Sequence, residues 1–242
     1  MGTYISQKIG FGDFKRTLFN LIWPEVCQAC GVGLLTDENT ICLRCLSTLP
    51  LPNLRLADQD PFSLSGLTGL PLVSVHSLMA FRKHGLAQRL IHKLKYENQP
   101  EIGEYLGRLL GQELLKLGFP DHPTLLVPVP LHPKRQRARG YNQATMVAKG
   151  LAEVLGYEVL DAVLIRPQVT ESQTSKSRGQ RLINMQQAFE VPTGMKLDLP
   201  IENYHFLIVD DVLTTGATVG SCARVLFAAG ADKISVLTLG IA

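Results

Sequence analysis

Phe206-Leu-Ile-Val-Asp-Asp-Val-Leu-Thr-Thr-Gly-Ala-Thr218 decides how the rest of this chain is read. Its four leading apolar residues, Phe206 to Val209, suit a strand buried on both faces of a sheet. Asp210 and Asp211 follow where that strand should leave the core. Thr214, Thr215, Gly216, Ala217 and Thr218 then form a small, hydroxyl-rich turn into a helix-like stretch. That order suits a sugar phosphate. Backbone N–H groups and hydroxyls at a helix N-terminus hold an anion, and carboxylates just before them accept hydrogen bonds from sugar hydroxyls. Gly216 lets the backbone close on the phosphate with no side chain in the way.

The segment resembles the phosphoribosyl pyrophosphate (PRPP) motif of type I phosphoribosyltransferases: an apolar strand, two acidic residues and a Thr-Thr-Gly-x-Thr phosphate loop. The resemblance implies that Asp210 and Asp211 sit by the ribose 2′- and 3′-hydroxyls and that residues 214–218 wrap the 5′-phosphate. The alternative is a strand-turn-helix of another α/β domain, which would have to match several positions at fixed spacing.

Outward from the motif, apolar runs alternate with helical patterns. Leu86, Leu90, Ile91 and Leu94 have helical spacing, as do Ile102, Leu106, Leu109, Leu110 and Leu114, with Gly118 and Pro120 as a stop. Leu125 to Pro130 reads as a buried strand. Asn142 suits the N-cap of a helix whose apolar face holds Ala144, Val147, Ala148, Leu151 and Val154. A strand is expected around 159–165, then a polar loop to about Gln187 and a short piece at 188–191. The helix after the motif buries Val219, Cys222, Ala223, Leu226 and Ala229, and Ile234 to Leu239 forms the last strand. Alternation of this kind predicts an α/β fold, a mostly parallel sheet with helices on both faces. Ligands of such sheets bind outside the carboxyl ends of the strands, where Pro130, Arg166 and Asp210 fall.

Four of the five cysteines form Cys27-x2-Cys30 and Cys42-x2-Cys45 with eleven residues between the pairs. Two such knuckles can complete a tetrahedral four-thiolate site, which points to structural zinc in a small zinc-ribbon-like module. Disulfides, a redox pair or an iron–sulfur cluster are the other readings. Residues 20–50 are assigned to this module, 51–75 to a proline-rich linker and 76–242 to the main domain. Cys222, on an apolar helix face, reads as core.

Apolar content of 45% and charged content of 19% describe an ordinary globular protein, and a net charge of +3 is too small to argue for nucleic acid. Distribution says more. His76 to Lys95 holds Arg82, Lys83, Arg89, Lys93 and Lys95, and His132 to Lys149 holds Lys134, Arg135, Arg137, Arg139 and Lys149, with no carboxylate in either stretch. On one face they would make a positive field for phosphates; otherwise they are solvated charges balanced elsewhere. No apolar run approaches the ~18–20 residues that span a bilayer and no secretory pattern opens the chain, so a cytoplasmic location is expected. The six histidines show no metal-ligand pairing. Trp23 and Tyr96 could stack on bases, although Trp23 also suits packing beneath the cysteine module.

Taken together, the four-cysteine module, Leu94-Lys-Tyr96, Val127-Pro-Val-Pro-Leu-His-Pro-Lys-Arg135, Arg139-Gly-Tyr-Asn-Gln143 and the PRPP motif resemble the ComF family, the competence-protein-F or GntX-like proteins. The loop Arg166-x3-Thr170-x2-Gln173-Thr174-x6-Arg181-x2-Asn184 follows the same pattern, while Lys176-Ser177 departs from it. Members combine an N-terminal zinc finger with a type I phosphoribosyltransferase fold, so the resemblance covers about Trp23 to Leu239. It implies PRPP or a related ribose phosphate with Mg²⁺ at Asp210 and Asp211, single-stranded DNA as a partner, and a link to DNA-uptake or recombination proteins. Lys134, Arg135, Arg137 and Arg139 are then read as meeting either pyrophosphate or nucleic-acid phosphate. The loop with Gln173, Thr174, Arg178 and Arg181 corresponds to the mobile catalytic loop, with Arg181 stabilising the leaving diphosphate; a solvated surface loop is the other reading. Little chain after the last strand is left for a base-recognition element, and no nucleophilic cysteine opens the chain as in a glutaminase. Besides a DNA-handling protein, the sequence therefore allows an active phosphoribosyltransferase with an unidentified nitrogenous acceptor, or a PRPP-sensing regulator.

Overall fold

Five apolar segments pair side by side, all in the same direction, into a sheet of order β1-β5-β4-β2-β3. In the computed structural model, which describes residues 25–51, 64–81, 85–119, 123–166, 189–192 and 201–241, the chain divides into two units that meet at Thr48 and Leu49.

The first unit is small. Val26 pairs antiparallel with Gly33, and Asn39 with Ile41. Helix α1 (Leu43–Ser47) begins one residue after Cys42. Glu38 ties the two parts together: its carboxylate accepts hydrogen bonds from the N–H groups of Leu35 and Leu43, each at 2.8 Å. Those two donors hold its carboxyl below the usual carboxylate range. Apart from the cysteines, Ala29 and Ile41 are the buried apolar side chains among this unit's described residues, too few to fold it by hydrophobic burial alone.

The second unit runs β1 (Ser74–Ala80), α2 (Leu86–Tyr96), α3 (Pro100–Lys116), β2 (Thr124–Pro128), α4 (Pro133–Arg139), α5 (Gln143–Leu155), β3 (Glu158–Val159), β4 (His205–Leu213), α6 (Ala217–Ala228) and β5 (Lys233–Ile241). Alternation along the strands sends Phe206, Ile208, Ile234 and Val236 into a core shared with Val219, Cys222, Ala223 and Leu226 of α6. Helices α3 and α5 pack on each other, and both also contact the sheet. Their approach is very close: a Cβ on Gly107 would lie 2.3 Å from the Val147 carbonyl oxygen, and one on Gly150 2.0 Å from that of Glu104.

This is the expected parallel α/β architecture, with four local differences. The edge strand β1 is unforeseen because its apolar residues are interrupted by Ser74, His76 and Ser77. The basic stretch after β2 is helical as α4. Pro133 at its first turn and the His132 ring, whose Nδ1 accepts from Lys134 N at 3.2 Å, start the helix. The strand expected at 159–165 shrinks to Glu158–Val159, since the chain turns at 161–162 and pairs again at Ile165 with Glu190. Finally, residues 64–72, read from sequence as linker, place Leu67 and Leu72 in the core.

Connections after β2 and β4 leave in opposite directions, toward β3 and β5 respectively. Adjacent strands with this property open a crevice at their carboxyl ends. Residues 129–142 and 214–217 stand there.

Candidate functional site

The four cysteine sulfurs lie within 4.8 Å of one another. Sulfurs around a tetrahedral zinc ion, with bonds of about 2.3 Å, stand about 3.8 Å apart; Cys30 Sγ and Cys42 Sγ are 3.8 Å apart. The set therefore fits a metal ion with no open position. Burial pushes the Cys27 thiol up, but N–H groups of Cys42, Cys30 and Ala29 aimed at its sulfur outweigh this and lower it to about 7. Burial, reinforced by the neighbouring thiols, raises Cys45 instead. Backbone donors thus favour a thiolate at the first knuckle, the species a metal needs.

At the second candidate site, β4 is longer than the apolar run suggested and carries Asp210 and Asp211 within the strand. Thr214 and Thr215 bend out, and Gly216 takes φ 75°, ψ 0° as the N-cap of α6. A side chain at Gly216 is doubly excluded, since its Cβ would also meet Leu67 Cγ at 2.8 Å. Gly66 N–H donates to the Thr215 carbonyl at 2.9 Å, and Arg224 donates to the Gly66 carbonyl at 3.2 Å. Residues 64–67 thereby brace the loop from behind. The first intrahelical bond of α6 runs from Gly220 N–H to the Gly216 carbonyl, so the N–H groups of 217–219 have no acceptor within the helix; that of Ala217 donates to Thr215 Oγ1 at 3.4 Å. No acidic residue occupies that first turn. Exposed Thr214, Thr215 and Thr218 surround the opening.

The two aspartates diverge as successive strand residues do. Asp211 forms an ion pair with Lys95 at 2.9 Å, with 13% and 25% of the side chains exposed. Asp210 accepts from the Asp211 N–H at 2.8 Å. Burial and the charge of Asp211 nonetheless raise its carboxyl to about 7, against the pull of Lys95 and Arg166. Arg166, whose guanidinium lies 5.3 Å from the centre of the Phe189 ring, is held below its ordinary value by burial and by Arg135. Cys222 on α6 is buried and its thiol is pushed well up, first by burial and then by Asp210, which makes it core rather than a nucleophile.

Of the four basic residues of α4, helical spacing turns Arg135 and Arg139 to one side, where both line a cavity with Lys95. Lys134 and Arg137 are exposed elsewhere on the helix. The structure thus brings together Asp210, Asp211, Arg135 and Arg166 from the sequence reading and adds Lys95 as the partner of Asp211. Lys95 had a signal, its place in the Leu-Lys-Tyr motif, but its partner lies 116 positions along the chain. Gln173, Thr174 and Arg181 lie outside the described residues. No helix among the described residues is long and apolar enough to cross a membrane.

No family model matches the chain. It is 37% identical over 154 residues to the DNA utilization protein YhgH of Salmonella typhi, covering 62% of this chain and 65% of that protein. Over 220 residues it is 35% identical to the DNA utilization protein YhgH of Escherichia coli O157:H7, covering 88% of this chain and 83% of the relative. Over 155 residues it is 33% identical to Competence protein F of Haemophilus influenzae, covering 61% and 64%. The matched region thus spans just under two thirds of the first and third of these relatives and more of the second. Among solved structures, the glutamine PRPP amidotransferase from B. subtilis aligns with a TM-score of 0.41 and 18% identity, over 61% of this chain and 30% of that one.

Proposed function

The chain belongs to the ComF family, that of competence protein F and the DNA utilization protein YhgH, and on that premise we propose that it binds PRPP or a related ribose phosphate with Mg²⁺, binds single-stranded DNA, and serves DNA uptake. The observation that carries this reading is the α6 entrance: the N–H end of the helix behind a left-handed Gly216, rimmed by exposed Thr214, Thr215 and Thr218, with two carboxylates one strand-end earlier. A 5′-phosphate fits that end by charge and hydrogen bonding. Asp210 and Asp211 would take the ribose hydroxyls and the hydrated Mg²⁺ of the diphosphate. Arg135, Arg166 and Lys95 stand close enough to offset diphosphate charge, with Gln173, Thr174 and Arg181 supplying further contacts.

Burial and the neighbouring Asp211 charge favour a proton on Asp210, raising its carboxyl to about 7. Binding to the carboxylate form would release that proton, so affinity for PRPP–Mg²⁺ should improve as pH rises through 7 and level off above it. The four cysteines would hold structural zinc, which supplies folding energy and no chemistry. The uneven split of the basic helix favours shared use: Arg135, nearest Arg166, can serve the diphosphate and a nucleic-acid phosphate, while Arg139 and the exposed Lys134 and Arg137 serve nucleic acid.

Titration with PRPP–Mg²⁺, with and without a single-stranded oligonucleotide, tests the proposal. Binding of both ligands is expected. DNA affinity should fall with salt and with Arg135, Arg137 and Arg139 replaced by alanine. Absence of DNA binding at low salt would remove the DNA half. Pyrophosphate release with a defined nitrogenous acceptor, lost in the Asp210→Ala/Asp211→Ala double variant, would instead establish a transferase.

A further inference from the structure

Beside the carboxylate pair, the end of α2 and one side of α4 border an open cavity of about 490 Å³ lined by Lys95, Tyr96, Asn98, Arg135, Arg139 and Tyr141. Its centre is flat and cationic. The Arg139 guanidinium lies 5.1 Å from the centroid of the Tyr96 ring, and Gln143 holds it there by accepting an Arg139 Nη1 hydrogen bond at 2.8 Å. Gln143 is itself 2% exposed, so the guanidinium is anchored from within the protein. Tyr141 fixes the other wall through its hydroxyl, which donates to the Leu94 carbonyl, and Asn98 turns the chain with φ 52°. Yet Tyr96 remains 66% exposed. An exposed aromatic ring beside three cations offers a flat anionic ligand both a stacking surface and charge neutralisation.

The opening continues along α2. Arg89, His92, Lys93 and Tyr96 follow at three- and four-residue spacing on one side of the helix. The His92 and Tyr96 rings are 4.9 Å apart, and a second cavity of about 400 Å³ lies against Gln88, Arg89, His92, Lys93 and Glu97. The Glu97 carboxylate is engaged by His92 at 3.6 Å and Lys93 at 4.0 Å.

We propose that Tyr96 and Arg139 form a base-stacking platform for a nucleotide of a single strand, whose phosphates run past Arg135 and Lys95 on one side and Arg89 and Lys93 on the other. Stacking on aromatic rings and guanidinium planes between basic side chains is how sequence-tolerant single-strand sites are built. The exposed ring and the extension along α2 fit a strand better than a free nucleotide, which an enclosed pocket would suit. Because Lys95 also pairs with Asp211, the strand and the ribose-phosphate site share a cation. The inference rests on the DNA-binding reading above and adds the residue on which a base sits.

The test uses the full chain and two fluorescent oligomers of about 15 nucleotides, within the span such sites cover: oligothymidine and an abasic oligomer of equal length and charge. Tyr96→Ala should weaken oligothymidine binding by about 5- to 150-fold, the range expected for one stacked base. Binding of the abasic strand should hardly change, and the salt slope should stay the same. Tyr96→Phe should keep wild-type affinity, and both variants should bind PRPP–Mg²⁺ as wild type does. Equal losses on both oligomers, or no loss with Tyr96→Ala, would overturn the platform while leaving DNA binding standing. Competition by thymidine monophosphate as effective as the strand would reassign the cavity to free nucleotides and overturn the strand. If wild type binds neither oligomer at low salt, the DNA reading itself falls with it.

Discussion

The cysteine module and the β4–α6 site reach order by opposite means. The module buries few apolar side chains, and four sulfurs within 4.8 Å of one another are its centre. Sulfurs this close fit a metal ion, and on the zinc proposal above the module's order depends on it. The β4–α6 loop instead stands on a sheet whose central strands β4 and β5 are buried along most of their length, and it is braced from behind by residues 64–67. A loop so held can keep N–H groups without a helical acceptor and a carboxyl raised to about 7, because the surrounding core offsets the strain. On that proposal one region is ordered by what it binds; the other is ordered first and can then bind.

Removing the metal should break this contrast most visibly. Structural zinc contributes roughly 10–16 kcal/mol in zinc-finger peptides. Chelation, or Cys42→Ala, should therefore abolish amide protection across 25–48 while leaving the strands of the sheet protected, as read by hydrogen–deuterium exchange. Equal loss of protection in both units would mean that they fold as one.

A second break lies in the packing under the sheet. Gly150→Val puts a Cβ where the Glu104 carbonyl stands at 2.0 Å, so α3 and α5 must separate. The cost should be about 3 kcal/mol or more in urea unfolding. Gly33→Ala, with nothing within 4 Å of its Cβ and an ordinary φ, should stay within about 0.5 kcal/mol.

The smallest effect sharpens the site itself. Asp210 has a folded-state carboxyl raised to about 7 from an ordinary 3.8, so the folded protein holds a proton that the unfolded chain has lost between those values. Stability falls as pH rises through that window. Asp210→Asn should raise the melting temperature by several degrees at pH 8 and leave it nearly unchanged at pH 4. An equal gain at both pH values would mean the carboxyl is not raised.

These regions were also unequally legible. The motif strand announces itself because Phe206 to Val209 is apolar without a break, and the cysteine pairs because their spacing is diagnostic. The edge strand Ser74–Ala80 hides because its polar residues alternate irregularly with apolar ones. Helix α4 hides because Pro133-Lys-Arg-Gln-Arg-Ala-Arg139 has no apolar stripe; only the proline and the histidine cap mark its start. The ion pair between Lys95 and Asp211 depends on strand order, which periodicity does not encode. The same holds for Leu67 against Gly216 and for Arg139 over Tyr96. Sequence showed the elements with an unbroken apolar run or a clear apolar stripe; what it lacked was the two without one, and which side chains the crevice brings face to face.

On the proposed function, the left-handed turn at Gly216 and the helix end behind it hold a ribose 5-phosphate. Calorimetric titration of PRPP–Mg²⁺ into wild type and Gly216→Val at pH 8 tests it directly. Saturable one-site binding to wild type and none to a variant that still folds is the predicted result. Equal binding by both proteins, or no heat with wild type, would contradict it.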